Sequence, residues 1–153
     1  MRVVIQRVIQ AAVEVAGKTV AEIDRGMVVL LGVRQEDNRE DALYLAKKIA
    51  GLRIFEDSEG KMNLSMAEVA GKVLVISQFT LYANTRKGRR PSFIEAALPE
   101  QADALYQFFI QSLQSESIPT EKGIFGAMML VKIFNDGPVT IIIDSEDRHK
   151  PRE

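Results

Sequence analysis

The 153-residue sequence contains no cysteine, no tryptophan and a single histidine, His149. Without cysteine the chain has no disulfide scaffold, cysteine-ligated zinc, iron–sulfur cluster or thiol nucleophile. His149 lies in a polar tail, residues 144–153, that we expect to be frayed, and a frayed position does not suit a catalytic or metal-binding imidazole. We therefore expect no metal site and no cofactor.

Long apolar runs are also missing. The longest, residues 27–33, is far shorter than the roughly 20 residues that cross a bilayer. Gln6, Arg7, Gln10 and Glu14 interrupt any apolar region near the start, which argues against a secretory signal. We expect a cytoplasmic protein without a membrane segment.

The chain has little net charge, with 20 basic and 21 acidic residues. This balance argues against binding nucleic acid through the overall field. The charge is nevertheless uneven, because residues 84–91 contain Arg86, Lys87, Arg89 and Arg90 and no acidic residue. Most basic runs are solvated loops, but next to a pocket such a run would attract a phosphate chain.

Hydrophobic periodicity predicts one α+β domain over residues 1–153, with two main helices covering a mostly antiparallel, layered or curved sheet. The first helix follows the capping residues Asp37 and Asn38, and the second begins at Pro99. The first four β segments are expected to form an antiparallel meander. The predicted β segments are residues 3–9, 12–16, 19–23, 27–33, 52–55, 72–77, 127–134 and 139–144.

Polar residues end the buried strand over residues 72–77. Ser77, Gln78, Phe79 and Thr80 stand at this point, and two interpretations are open. Either the hydroxyls only finish a strand while Phe79 packs in the core, or the strand presents these side chains and the Phe79 N–H to a small ligand, where such donors stabilise an oxyanion.

The tetrapeptide Asn-Asp-Gly-Pro at residues 135–138 is a turn signal and predicts a connection between the last two β segments. Composition alone gives no reason to expect a cis bond before Pro138, since only about 5–6% of X–Pro bonds in folded proteins are cis.

Several ordered motifs resemble the D-aminoacyl-tRNA deacylases, first described as D-tyrosyl-tRNA deacylases, nearly from end to end. The motifs are Val-Ile-Gln-Arg-Val at residues 4–8, Leu-Leu-Gly-Val at 30–33, Gly-Lys-Met-Asn at 60–63, Ser-Gln-Phe-Thr-Leu-Tyr-Ala at 77–83, Lys-Gly-Arg-Arg-Pro-Ser-Phe at 87–93, Phe-Gly-Ala-Met-Met at 125–129 and Asn-Asp-Gly-Pro-Val-Thr at 135–140. Together they are more specific than any one of them.

The resemblance implies hydrolysis of the ester between a D-amino acid and the terminal adenosine of tRNA, by a homodimer with active sites at the subunit interface. It also implies that the Gly137–Pro138 bond is cis and enters the partner's site, where its carbonyls exclude an L side chain. Such a backbone wall would admit many D-residues and glycine. Arg7 resembles the residue that orients this dipeptide.

Residues 77–80 match the catalytic strand of that family, and two mechanisms are open. Either the Thr80 hydroxyl is the nucleophile, or the ribose 2′-hydroxyl of the substrate activates water while the Phe79 N–H lies near the carbonyl oxygen. We favour the second mechanism, because no His, Lys or carboxylate in these motifs is an evident base for Thr80.

Phe125 and Met129 resemble residues that border the adenosine and aminoacyl pocket, although both residue types are also common in cores. The basic residues Arg86, Lys87, Arg89 and Arg90 are expected to contact phosphates at the acceptor end of tRNA.

Two other functions fit parts of the pattern. An editing module of the related fold, like the domain fused to archaeal threonyl-tRNA synthetases, would remove a mischarged L-amino acid, but Gly137–Pro138 argues against a pocket for an L-residue. A dimeric RNA-binding module would use the basic loop without catalysis.

Overall fold

The structure, a computed structural model that describes residues 1–152, contains a six-stranded sheet, a two-stranded sheet and two α-helices within those residues. The strands are β1 (Arg2–Val15), β2 (Lys18–Ile23), β3 (Gly26–Gly32), β4 (Phe55–Glu56), β5 (Met62–Leu64), β6 (Lys72–Ser77), β7 (Thr120–Lys122) and β8 (Leu130–Asp144). The helices are α1 (Arg39–Ala50) and α2 (Pro99–Ser115), with 3₁₀ turns η1 (Phe79–Tyr82) and η2 (Ser145–His149). The predicted α+β class with two helices is confirmed.

Strand β1 organises the large sheet. It pairs antiparallel with β2 and β3 on one edge and with β8 on the other. The predicted meander is wrong, because β3 returns to the first half of β1 instead of pairing with β2. The sheet is also mixed, since β6 runs parallel to β3 and β7 parallel to β6.

The first two predicted β segments form one strand whose buried side chains change face. Val3 and Ile5 pack with both helices in the larger core, whereas Val8, Ala11 and Val13 pack with β2 and β6 in a second core. Side chains along a regular strand alternate between its two faces, so the set of buried residues can change face only where the register shifts. The shift occurs between Gln6 and Gln10.

The predicted connection at residues 135–138 is also wrong. The last two predicted β segments belong to the single strand β8, and the tetrapeptide lies inside it. Gln6 pairs with Thr140 and Val8 pairs with Asn135, so residues 136–139 stand opposite Arg7 alone. We call residues 136–139 the Gly-Pro bulge. The Gly137–Pro138 bond within it is cis.

Both helices form as their caps and periodicity predict. Asn38 caps α1, with its side chain accepting from the Glu40 N–H, while the Asp41 carboxylate accepts from the Asn38 N–H. Pro99 begins α2. The buried stripe of α2 includes all the predicted apolar residues, Ala102, Leu105, Tyr106, Phe109 and Leu113.

Two smaller predictions are corrected. The tail is not frayed up to His149, because η2 packs on α1, where Arg148 lies 3.3 Å from the Asp41 carboxylate and Ser145 is buried. His149 itself is exposed. The segment expected at residues 52–55 begins only at Phe55, where β4 pairs with β5.

Candidate active site

A cavity of about 680 Å³ opens where β6 ends, between the start of α2 and the segment that leads into β8. Its walls are mainly apolar, and polar groups converge at the end of β6. The lining residues of the sequence prediction are Ser77, Gln78, Phe79, Phe125 and Met129. The structure thus brings two motifs about 50 residues apart in sequence to one cavity.

The end of β6 is held rigidly. Strand β6 lies between β3 and β7, and the Gln78 N–H continues its pairing with β3 by donating to the Leu31 carbonyl at 2.8 Å. The chain then turns into η1, where Leu81 donates to the Gln78 carbonyl at 3.2 Å. The N–H groups that begin a helical turn have no partner within it, so those of Phe79 and Thr80 remain available to a ligand.

Thr80 has no base among the lining residues. The Gln78 side-chain amide donates to the Thr80 hydroxyl oxygen. Among the described lining residues there is no His, Lys, Asp or Glu. Thr80 itself is exposed beside the cavity and is not one of the lining residues.

A buried tyrosine supports the cavity from behind. The Tyr106 hydroxyl donates to the Val75 carbonyl at 3.0 Å, and its ring centroid lies 5.8 Å from that of Phe125. Burial raises the pKa of Tyr106, so the phenol is neutral and acts only as a hydrogen-bond donor. Met129 lines the cavity and packs against the second core, close to Gly123.

Arg7 ties the Gly-Pro bulge to the body of the protein. Its guanidinium is buried and donates to the Asp136 carbonyl at 3.1 Å and to the Ile54 carbonyl at 2.8 Å. The Asp136 and Glu56 carboxylates lie 3.5 Å and 3.9 Å from it. This charge is therefore paired and hydrogen-bonded, as a buried cation must be.

The backbone of the bulge is fixed from both ends. The Asn135 side chain accepts from the Val139 N–H at 3.0 Å and so brackets Gly137 and Pro138. Gly137 has φ +124°, a conformation that side chains rarely adopt, and a Cβ there would lie 3.0 Å from Arg7 Nη2. Gly137 and Pro138 are nevertheless exposed. The bulge thus exposes Gly137 and Pro138 while hydrogen bonds hold its two ends.

The bulge and the cavity are separate in one chain. None of Arg7, Gly137 and Pro138 belongs to the described residues that line the cavity. The predicted site residues therefore form two groups.

The basic run forms an exposed loop beside the cavity. Asn84 and Ser92 exchange backbone hydrogen bonds of 2.7 Å and 2.8 Å, which close the loop around Arg86, Lys87, Arg89 and Arg90. Immediately after the loop, the Phe93 ring packs edge-on against Phe79 with centroids 5.1 Å apart. The end of the basic loop thus leads directly into a residue that lines the cavity.

Sequence reasoning missed part of each group. Phe93, Leu98 and Pro99 line the cavity, and only Phe93 stood in a motif that had been noted. Asn135 and Ile54 support the bulge, although the Ile54 contact uses only a backbone carbonyl and has no side-chain signature.

The described residues show neither a metal centre nor a membrane span. Within residues 1–152, no three acidic, His or Cys residues are placed so that they could hold a metal ion. No helix there is long and apolar enough to cross a bilayer.

Comparison with known proteins identifies the class. The family model described as D-Tyr-tRNA(Tyr) deacylase matches residues 4–144. A D-aminoacyl-tRNA deacylase of Dehalococcoides mccartyi is 59% identical over 152 residues, covering 99% of each chain. One of Chloroflexus aurantiacus is 57% identical and covers 99% of this chain and 95% of that protein.

Solved structures share the fold of this chain. One described as a c-Myc DNA Unwinding Element Binding Protein has a TM-score of 0.88 and 40% identity over 94% of this chain and 98% of that one. A probable eukaryotic D-amino acid tRNA deacylase has a TM-score of 0.80 at 19% identity, over the same shares of the two chains, and shares the fold.

The chain is therefore a hydrolase with the fold of these proteins. It belongs to the D-aminoacyl-tRNA deacylase family. The family and the deacylase activity predicted from the sequence are confirmed.

Proposed function

We propose that the protein hydrolyses the ester between a D-amino acid, or glycine, and the 3′-terminal adenosine of tRNA, and that the Gly-Pro bulge of a second subunit rejects L-aminoacyl esters. The observation that carries this proposal is the separation of two pre-formed parts. The cavity presents hydrogen-bond donors but no group that would exclude an L side chain. The bulge is a fixed, exposed backbone element outside the cavity of its own chain.

The edge of β8 supports a homodimer. Strand β8 pairs only with β1 among the described strands, so its other edge is unpaired over 15 residues. Unpaired edges of this length are usually covered. Leu130, Phe134 and Ile142 are exposed to 58%, 54% and 66% along the same strand that carries the bulge. A second copy docked on this edge would bury them and carry each bulge towards the other subunit.

Selection by the bulge would depend on backbone alone. Carbonyl oxygens held against the α-carbon of the substrate leave room for hydrogen on one side and none for a side chain. The filter therefore does not depend on which D-residue is attached, and glycine passes it as well. Arg7 and Asn135 keep the wall in place through contacts of 3.0–3.1 Å.

The chemistry needs little from side chains. A water oxygen bonds to the acyl carbon, the bond from that carbon to ribose O3′ breaks, and the proton of the water passes through the 2′-hydroxyl to O3′. The Phe79 N–H at the end of β6 would stabilise the oxyanion. An aminoacyl ester is already activated, so positioning supplies much of the rate.

The basic loop would hold the RNA. Arg86, Lys87, Arg89 and Arg90 are exposed beside the mouth of the cavity, where the acceptor end of tRNA would lead away from the terminal adenosine. The rest of the chain carries 16 basic and 21 acidic residues, so the attraction is local.

Parallel incubations with D-Tyr-tRNA, L-Tyr-tRNA and L-Ser-tRNA(Thr) test the proposal. We expect loss of the D-ester only, and a separate assay with Gly-tRNA should show cleavage. Cleavage of L-Ser-tRNA(Thr) alone would indicate the editing function, and binding without cleavage would indicate an RNA-binding module. Either result overturns the proposal.

The source of the catalytic proton transfer is tested with a 2′-deoxy terminal adenosine. The deoxy ester should be cleaved far more slowly than the ribo ester, while Thr80→Ala retains turnover. Complete loss of turnover in Thr80→Ala with normal cleavage of the deoxy ester would assign the nucleophile to Thr80 instead.

A further inference from the structure

The turn η1 lacks internal stability of its own. It spans only Phe79–Tyr82, and a single 3₁₀ turn has poor hydrogen-bond geometry. Its first residues carry the N–H groups that the proposed function aims at the oxyanion. The contacts that fix its last residues therefore decide how well those donors are positioned.

One arginine reaches the end of this turn from the first strand. Arg2 Nη1 donates to the Leu81 carbonyl at 3.2 Å, across 79 residues of sequence. The same guanidinium stacks 5.1 Å from the centroid of the buried Tyr82 ring. Two consecutive residues of η1 thus contact one cation.

The other side of that guanidinium is fixed by β8. Arg2 Nη2 lies 3.0 Å from the Asp144 carboxylate, and Nε donates to the same oxygen at 3.1 Å. Two nitrogens of the planar guanidinium thus contact one carboxylate oxygen, an arrangement that the single nitrogen of an ammonium does not provide. Asp144 therefore holds the Arg2 guanidinium in the position from which it contacts η1.

We propose that Arg2 is a positioning residue for the deacylation, which holds η1 through the Leu81 carbonyl and the Tyr82 ring so that the Phe79 N–H keeps its direction. The inference rests on the proposed function of that N–H. Strand β1 would then position both parts of the proposed site, because Arg7 of the same strand holds the Gly-Pro bulge.

A matched control lies outside the proposed dimer edge. Arg148 of η2 lies 3.2 Å from the Glu40 carboxylate and 3.3 Å from the Asp41 carboxylate of α1, and its side chain is exposed to 19%. The Arg2 side chain is exposed to 40%. Arg148→Ala thus removes another arginine that joins two elements through ion pairs, without contact to η1.

The experiment measures kcat and KM on D-Tyr-tRNA, together with Tm, for the wild type, Arg2→Ala and Arg148→Ala. Misplaced catalytic groups cost rate even when binding persists, so we expect Arg2→Ala to lower kcat about tenfold with KM changed less than about twofold. Arg148→Ala should keep the kcat of the wild type. Equal kcat in the two variants would overturn the inference.

Rescue separates positioning from stability. Because Arg2 is partly exposed, added ethylguanidinium should enter the space left in Arg2→Ala and raise its kcat at least about twofold in a saturable manner, without effect on Arg148→Ala. Absence of rescue would indicate a structural role only and would overturn the inference.

If Arg2→Ala does not fold, Arg2→Lys takes its place. It keeps the charge beside Asp144 without the planar fork, and its kcat should be at least about threefold below that of the wild type. Wild-type kcat in Arg2→Lys overturns this inference alone. A wild type that does not cleave D-Tyr-tRNA overturns the proposed function instead.

Discussion

The cavity is assembled from segments far apart in sequence, whereas the Gly-Pro bulge consists of four consecutive residues inside one strand. Core packing fixes the cavity, because central strand β6 and the buried stripe of α2 form its base. Polar contacts fix the bulge, chiefly those of Arg7 and Asn135. In the proposed function, ester hydrolysis thus takes place in a cavity fixed by core packing. Selection against L-amino acids depends on a bulge fixed by a few polar contacts.

This difference explains why the two parts respond differently to substitution. A donor at the end of β6 can be removed without disturbing the core beneath it. The bulge tolerates little change, because a Cβ at Gly137 would lie 2.9 Å from Val139 Cγ2. Variants of one residue in each part therefore test whether they act in one reaction.

The largest effect is expected from Phe79→Pro. Proline removes the N–H that we assign to the oxyanion and is tolerated at the first position of a helical turn, so the fold should persist. We expect kcat to fall about 10²–10³-fold. The measurement is single-turnover cleavage of D-Tyr-tRNA.

Phe79→Ala is the matched control. It removes the exposed ring and its contact with Phe93 but keeps the N–H. Its kcat should stay within about tenfold of the wild type. Equal losses in the two variants would assign the effect to the ring and would remove the Phe79 N–H from the mechanism.

The next prediction joins the two parts. Gly137→Ala should lower cleavage of D-Tyr-tRNA at least about tenfold, because the displaced wall no longer fits the substrate. Co-expression of Phe79→Pro with Gly137→Ala should restore activity. If each site combines the cavity of one subunit with the bulge of the other, half of the dimers carry one intact site, which gives about a quarter of the wild-type activity.

The control for restoration is a mixture of the separately purified variants assayed before subunits exchange, which should show no gain. Activity that stays at the level of the single variants after co-expression would place the cavity and the bulge in one subunit's own site. That result would remove the dimer from the proposed function.

Local sequence signals account well for the helices and poorly for the bulge. Asn38 with Asp41, and Pro99, mark helix starts through contacts within a few residues. The Asn-Asp-Gly-Pro segment predicts a turn because those residues favour one. Its true conformation depends on Arg7, which is 129 residues away from Asp136 in sequence. No periodicity or turn rule contains that contact.

The cavity shows the same limit. The residue types at 77–80 indicate donors at a strand end, but their approach to Phe125 depends on how β6 and α2 pack. The tail beyond β8 is polar in sequence yet ordered up to His149 by ion pairs of Arg148 with α1. Motif resemblance supplied the grouping of these residues, since the long-range contacts are not readable from local pattern.

The smallest expected effect concerns the side from which tRNA approaches. Arg89→Ala with Arg90→Ala removes two charges beside the cavity and none near the bulge. The affinity for D-Tyr-tRNA should fall about tenfold at low salt, and the slope of log Kd against log salt concentration should decrease by about 1–2, because two fewer counterions are released. Lys47→Ala with Lys48→Ala on α1 removes two adjacent exposed charges elsewhere and should leave the slope unchanged. An equal decrease in both double variants would mean that the attraction is spread over the protein, and the basic loop would then have no special place in binding the acceptor end.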